Sequence, residues 1–305
     1  MSLMFRIFDF MYTKLVPESH HDKMLFEQLD RCMKSYPKLR KVIPQSWPRH
    51  SKYGITNRRM HKFNKARRKR PEGMNLPLFL HLSEVEPDRK MREIFQSILV
   101  ALDWFASEMM DKPGAKSVLE PLWTSTWDLL RIWGVVSEVF LIRHLKINTD
   151  FQLQGFDRKI PDSQKTADIH AILLGRDTWI DVEASALEPF RGTAQEFREL
   201  LVMRARKKMT AKFSDLPSSH SGMIISIYRV MSPENLRLFQ TDSILTKPIA
   251  EKNVSGSIFW LLQGRKLGTL DSFALHLEGF TAFDKTEFFV QIPRRVNQDS
   301  SFEET

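Results

Sequence analysis

Between Lys34 and Arg70 the chain contains no aspartate or glutamate, although fourteen of its 46 lysines and arginines fall there. The other 32 basic residues face 37 acidic ones, so the remainder is net acidic at −5 while the whole stands at +9. The positive charge is a local feature. Cysteine is nearly absent: Cys32 alone excludes internal disulfides and a thiolate metal cluster, and fits a reducing cytoplasm. Glycine is scarce, at 12 of 305 residues, and neither G-x-x-x-x-G-K-[ST] nor G-x-G-x-x-G occurs, which removes the phosphate-loop and dinucleotide-binding classes. H-E-x-x-H and nucleophile-elbow motifs are also missing. No apolar run reaches the roughly 18 to 20 residues needed to cross a bilayer. The apolar start is interrupted by Arg6, Asp9 and Lys14 and lacks a small-residue cleavage site, so no signal peptide is expected.

With 42% hydrophobic and 11% aromatic residues, the chain can bury one core with an appendage or two compact domains. Pro113-Gly114 is a strong stop. It predicts a helical, basic N-terminal region over 1–113, an α/β core over 114–295 and a polar, disordered tail over 296–305. Apolar spacing predicts helices over 21–36, around 57–70 and from 83–87 to 110, the last with the stripe Ile94, Ile98, Leu102, Phe105 and Met109. The acid-free segment interleaves Tyr36, Trp47, Tyr53 and Phe63 with its cations. That is the composition of a polyanion-binding surface, in which counterion release supplies affinity and aromatics supply packing or stacking. Its expected nucleic-acid contacts are Arg40, Lys41, Lys52, Arg58, Arg59, Lys62, Lys65, Arg67, Arg68, Lys69 and Arg70. The plain alternative is a solvated loop or outer helix face.

A helix over 117–146 is apolar nearly all round, with Glu138 the sole acid in its second half. The run KTADIHAILLGRDTWIDVEAS follows. Side chains alternate across a strand, so Asp181 and Glu183 share one face. The polar turn Gly175-Arg176-Asp177 folds the preceding run back as a partner strand that brings Asp168 towards them. Carboxylates gathered at an apolar sheet edge repel one another unless a proton or a cation compensates, and an oxygen-rich site of this kind suits Mg2+ or Mn2+. A helix over 193–213 comes next, then strands over 223–229, 257–262, 273–277 and 287–292, with a short helix over 233–240. On a helical wheel Phe197, Leu200, Leu201, Arg204 and Lys208 fall in one stripe with Lys212 at its margin, which aims cations at the acidic hairpin. Asp162, after Pro161, lies in the loop before the first strand and ranks below Asp168. His170 shares the strand face of Asp168, and Lys165 flanks it.

This order of a helix with an acid, a hairpin carrying Asp168 and Asp181-x-Glu183, a helix and a further strand resembles the PD-(D/E)xK nuclease superfamily over residues 117–230. The resemblance implies a restriction-endonuclease-like central mixed sheet flanked by helices. It also implies a metal-dependent nuclease, with DNA the expected substrate. It places Glu138 as the core-helix acid, Asp168 as the aspartate of the PD half and Asp181 as the middle acid, the three together holding Mg2+ or Mn2+. Glu183 stands where the family usually has lysine, a departure some members share. Lys208 or Lys212 on the following helix would take over the lysine's electrostatic role. Two other classes stay open: a catalytically silent nuclease-fold subunit that binds nucleic acid or assembles a larger complex, and an interaction scaffold whose basic segment meets an acidic partner.

Overall fold

The computed structural model describes residues 19–49, 54–67, 69, 74–87, 89–125, 127, 131–148, 151–173, 176–187, 190–214, 216, 220–230, 257–263 and 272–278. The expected strand over 287–292, the short helix over 233–240 and the C-terminal tail lie outside these residues. The chain divides into two compact units, one of 1–110 with 118–136 and the other of 111–117 with 137–305.

The first unit is helical. Helix α1 (His20–Lys34) starts at Ser19, whose hydroxyl accepts the Asp22 N–H, and buries Leu25, Phe26, Leu29, Cys32 and Met33. Helix α2 (Pro37–Val42) has no side-chain cap of its own. Instead Asp103, from α5 (Arg89–Glu108), accepts the N–H groups of Lys38 and Leu39 at 2.8 and 2.7 Å. A carboxylate at that end satisfies orphan donors and opposes the helix dipole. The basic segment forms α2 as well as α3 (Asn57–Arg67), the second being the helix expected around 57–70. Ahead of α5, a separate helix α4 (Leu76–Val85), capped by Asn75, was not expected. On α5, Ile98, Leu102 and Phe105 are fully buried and Met109 follows just beyond its end, while the Ile94 side chain is not among those described. Phe79 meets Trp133 edge-on, with ring centroids 5.7 Å apart. Cys32 lies in this core, where burial pushes its thiol up to about 12 and leaves it unreactive.

The helix expected over 117–146 is broken. Pro121 starts a new turn, giving α6 (Ala115–Leu119), α7 (Pro121–Thr124) and α8 (Arg131–Asn148), because proline has no N–H to continue the preceding ladder. The second unit is an α/β layer. Strands β1 (Gln152–Lys159), β2 (Thr166–Leu173), β3 (Arg176–Leu187) and β4 (Ser221–Val230) form a mixed sheet in the order β1-β2-β3-β4. The first three are antiparallel in sequence, and α9 (Ala194–Phe213) is the crossover that makes β4 parallel to β3. Thr193 and Glu196 form a reciprocal capping box at the start of α9. Strands β5 (Ser257–Gln263) and β6 (Ser272–Glu278) pair as a separate antiparallel hairpin.

Strand β1 was not expected. A bulge between Leu153 and Gly155 leaves Gly155 and Phe156 buried side by side, which destroys the period-two signal. Gly114 fits against this strand in the left-handed region, at φ +81°, where an added Cβ would lie 2.3 Å from the Phe156 carbonyl oxygen.

Candidate active site

On β2, Ala167, Ile169 and Ala171 are buried, whereas Asp168 and His170 point to the opposite face. The register Ile169↔Ile180 sets Asp168 across from Asp181 one step further along, on the face shared by Trp179 and Glu183. Asp168 Oδ2 accepts the Val182 N–H at 2.7 Å. The Asp181 carboxyl lies close enough to oppose ionisation of Asp168. Burial, followed by the charge of Asp181, pushes Asp168 up to about 6 against the opposing pull of the Val182 N–H and Lys212.

Helix α9 lies over this face. Phe213 packs with Trp179 and Ile224, and a Cβ on Gly222 would meet the Phe213 ring at 2.7 Å. The fixed end of the helix holds Lys212 Nζ 2.6 Å from Asp181 Oδ1, and one turn earlier Lys208 Nζ stands 3.2 Å from Glu183 Oε2. That Glu183 oxygen is buried and has no partner with hydrogen-bond geometry, so the contact with Lys208 is an ion pair alone. Arg204 departs from the expected stripe and is exposed. Successive residues turn by about 100°, so Arg204 and Lys212 lie roughly 40° to either side of Lys208. Docking of Ala194, Phe197 and Phe213 rotates the Lys212 side inward.

Glu138, on α8, is part-buried, and its carboxyl is pushed well above the ordinary range by burial, with the charges of Asp168 and Asp157 adding to the effect. Asp157 had no place in the sequence reading because its strand was unrecognised. It sits at φ +48° on β1 with Ser117 Oγ donating to its carboxylate. The expected convergence of Glu138, Asp168 and Asp181 on one ion is not built as a closed cage: among the described residues no three His, Cys, Asp or Glu side chains form a metal-holding group. Asp168 and Asp181 alone meet. Two facing carboxyls, one opposing the ionisation of the other, fit a divalent cation of the Mg2+ type, which takes one or two carboxylates and fills its remaining positions with water and phosphate oxygens.

Further along the same face, His170 stacks on Trp179 at 4.0 Å, with its Nε2 2.5 Å from Asp177 Oδ1. His220 Nε2 approaches the other Asp177 oxygen at 3.2 Å. This His-Asp-His group was not anticipated, since the pairing Ile172↔Asp177 that aligns it is visible only in the sheet. Asp162 is exposed at φ +56° in the β1–β2 turn, away from the strand position of Asp168. Lys165 enters that turn through its backbone, its carbonyl accepting the Ile160 N–H.

In the helical unit, Arg58, Arg59, Lys62 and Lys65 are exposed on α3, Lys69 is exposed just beyond it, and Lys41 is exposed on α2. Arg40 is part-buried. Arg67, expected on the binding surface, is part-buried. It falls on the inner line with Met60 and Phe63, its Nη1 reaches Met74 Sδ at 3.5 Å, and burial lowers its pKa. Lys52, Arg68 and Arg70 lie outside the described residues.

No protein-family model matches the sequence, and no curated protein does. Among solved structures, Pyrococcus furiosus SfsA in complex with Ca2+ is similar at 11% identity and a TM-score of 0.24, over 51% of this chain. The match spans 66% of that protein's length. A likeness at that distance carries no functional weight. No helix among the described residues is long and apolar enough to cross a membrane.

Proposed function

We propose that the second unit is a metal-dependent nuclease hydrolysing phosphodiester bonds, with DNA as substrate and the basic segment of the first unit gripping the nucleic-acid backbone. The observation that carries this reading is the facing pair Asp168 and Asp181, with Lys212 held 2.6 Å from the latter. Asp168 and Asp181 would hold Mg2+ or Mn2+, with Glu138 as a more distant acidic support. The ion, when bound, supplies Lewis-acid polarisation of a phosphoryl oxygen and a water acidic enough to attack at neutral pH. Lys212 neutralises Asp181 in the resting site and faces the developing negative charge of the phosphoryl group during attack. Lys208 does the same from one turn away, so the helix supplies the cation that Glu183 does not. The Val182 N–H orients Asp168 by fixing one of its oxygens.

The test is incubation with linear, nicked and single-stranded DNA and Mn2+ or Mg2+, beside Asp168→Ala and Asp181→Ala. Cleavage should fall at least about a hundredfold in both variants, the lower end of what loss of one charge-stabilising group costs. Equal activity in the variants and the wild type rejects the site. Mn2+ should also raise the melting temperature of the wild type and not of Asp181→Ala, through preferential binding to the folded state.

The two-carboxylate site and Glu183 in place of lysine favour a second reading: a nuclease-fold subunit that binds nucleic acid without cutting it. It predicts salt-dependent association that persists in both alanine variants and no cleavage by any form.

A further inference from the structure

A cavity of about 440 Å3 opens in the helical unit, lined by Asp30, Lys34, Arg40, Gln45, Ser46, Trp47 and Arg49. Its size falls within the roughly 300–1,000 Å3 of small-molecule sites. Three cations meet one acid there, and that acid is already engaged: Asp30 Oδ2 lies 3.3 Å from Arg49. The Arg49 guanidinium also stands over the Phe26 ring, 5.4 Å from its centroid, which fixes the orientation of the fork. Among the described residues neither Lys34 nor Arg40 has a carboxylate partner. Both sit in the last turns of their helices, α1 and α2, where a cation complements the dipole. Dipole compensation needs no concave wall, and it does not account for Arg49 closing the same hollow from the following turn.

The wall itself is chemically mixed. Trp47 is 2% exposed, and its buried indole N–H has no hydrogen-bond partner. Leaving such a donor unmade costs about 1–3 kcal/mol. Gln45 and Ser46 are exposed at the rim and offer neutral donors beside the cations. Converging guanidinium and ammonium groups with hydroxyl and amide donors form the chemistry that recognises a phosphate dianion or diester. The volume exceeds what a bare phosphate fills.

We infer that this cavity is a phosphate-recognition pocket for a nucleotide, with Lys34, Arg40 and Arg49 on the phosphate and Gln45 and Ser46 at the rim. It goes beyond the proposed cleavage site, lying on the helical unit, and refines the nucleic-acid reading of the basic segment. The nucleotide is either free or part of a strand. Full-length protein is titrated with AMP, a short single-stranded deoxyoligonucleotide carrying a 5′-phosphate, and the same oligonucleotide ending in a 5′-hydroxyl.

Lys34→Glu and, independently, Gln45→Glu at an exposed position should each weaken binding at least tenfold, with the thermal melt unchanged for Gln45→Glu and lowered only slightly for Lys34→Glu, which loses its complement to the helix dipole. Loss of AMP binding in these variants supports the inference with a free nucleotide as the source. Loss confined to the two oligonucleotides supports it with a strand phosphate as the source, and a selective loss for the 5′-phosphorylated one locates that phosphate at the end. If every probe binds these variants as it binds the wild type, the pocket is overturned. The double variant Arg58→Glu with Lys62→Glu, on the outer face of α3, separates the two ideas. If it weakens oligonucleotide binding while the pocket variants do not, the backbone-gripping role survives and the pocket fails. If no probe binds wild-type protein, both fall.

Discussion

Lysine does opposite things in the two units. On α3, Lys62 and Lys65 project into solvent, and among the described residues no carboxylate meets them. On α9, Lys208 and Lys212 lie partly buried against Glu183 and Asp181. The first arrangement leaves charge free to meet a polyanion, with an effect that salt screens. The second sets each cation against an acid on a partly buried sheet face, where the pair compensates charge that burial would otherwise make costly. Equal residue types therefore carry a surface role in one unit and a site role in the other, and burial makes the difference.

The sharpest way to break this contrast is Lys212→Ala. It should reduce metal-dependent cleavage by about 10²–10³-fold, as for loss of one preorganised electrostatic group, while Lys212→Arg restores part of it. An unchanged rate would place Lys212 outside the chemistry.

Next comes the Asp168→Asn variant, which keeps an acceptor for the Val182 N–H and removes a charge. Burial and the charge of Asp181 push Asp168 up to about 6 in the folded chain, above the roughly 3.9 of an unfolded aspartate. Because the folded value is raised, the protonated carboxyl's contribution is full below about pH 4 and is lost as pH rises through 6. Relative to wild type, Asp168→Asn should thus gain up to about 3 kcal/mol between pH 4 and pH 7 in metal-free urea melts, from the roughly 1.4 kcal/mol per pKa unit. A constant difference across that window would show that Asp168 is not the group under repulsion.

Gly114→Ala tests the strand that the sequence concealed. A Cβ meeting the Phe156 carbonyl, on backbone at φ +81°, should lower stability by about 1–3 kcal/mol. A melt within experimental error of wild type would refute the close approach.

The smallest effect sharpens the solvent-facing side. Arg58→Ala and Lys62→Ala should each shift stability by less than about 0.5 kcal/mol while lowering the salt slope of DNA binding by about one. Arg67→Ala should show the reverse, a loss of stability through lost packing with little change in slope.

The arrangement of elements was largely legible. The stripe on α5 and the alternation on β2 and β3 are local patterns; the latter, with the helix that follows, predicts the hairpin–helix–strand order that forms three of the four strands of the mixed sheet. The facing of Asp168 and Asp181 follows from the same alternation, once the turn sets the register. The break at Pro121 and the separate α4 were open to reading too, yet an apolar run hides the boundary between two short buried helices.

Other features depended on contacts distant in sequence. The bulge in β1 erased its own periodicity, so neither Asp157 nor the bed for Gly114 could be seen. Arg204 and Lys212 are symmetric about Lys208 on an isolated wheel, and only the docking of Phe213 beside Gly222 turns one inward and leaves the other in water. The linear order of residues settled charge distribution and element type, because these depend on neighbours within a few positions. Which cations pair with acids and which stay free was decided by tertiary packing, since burial and distance are properties of assembled surfaces.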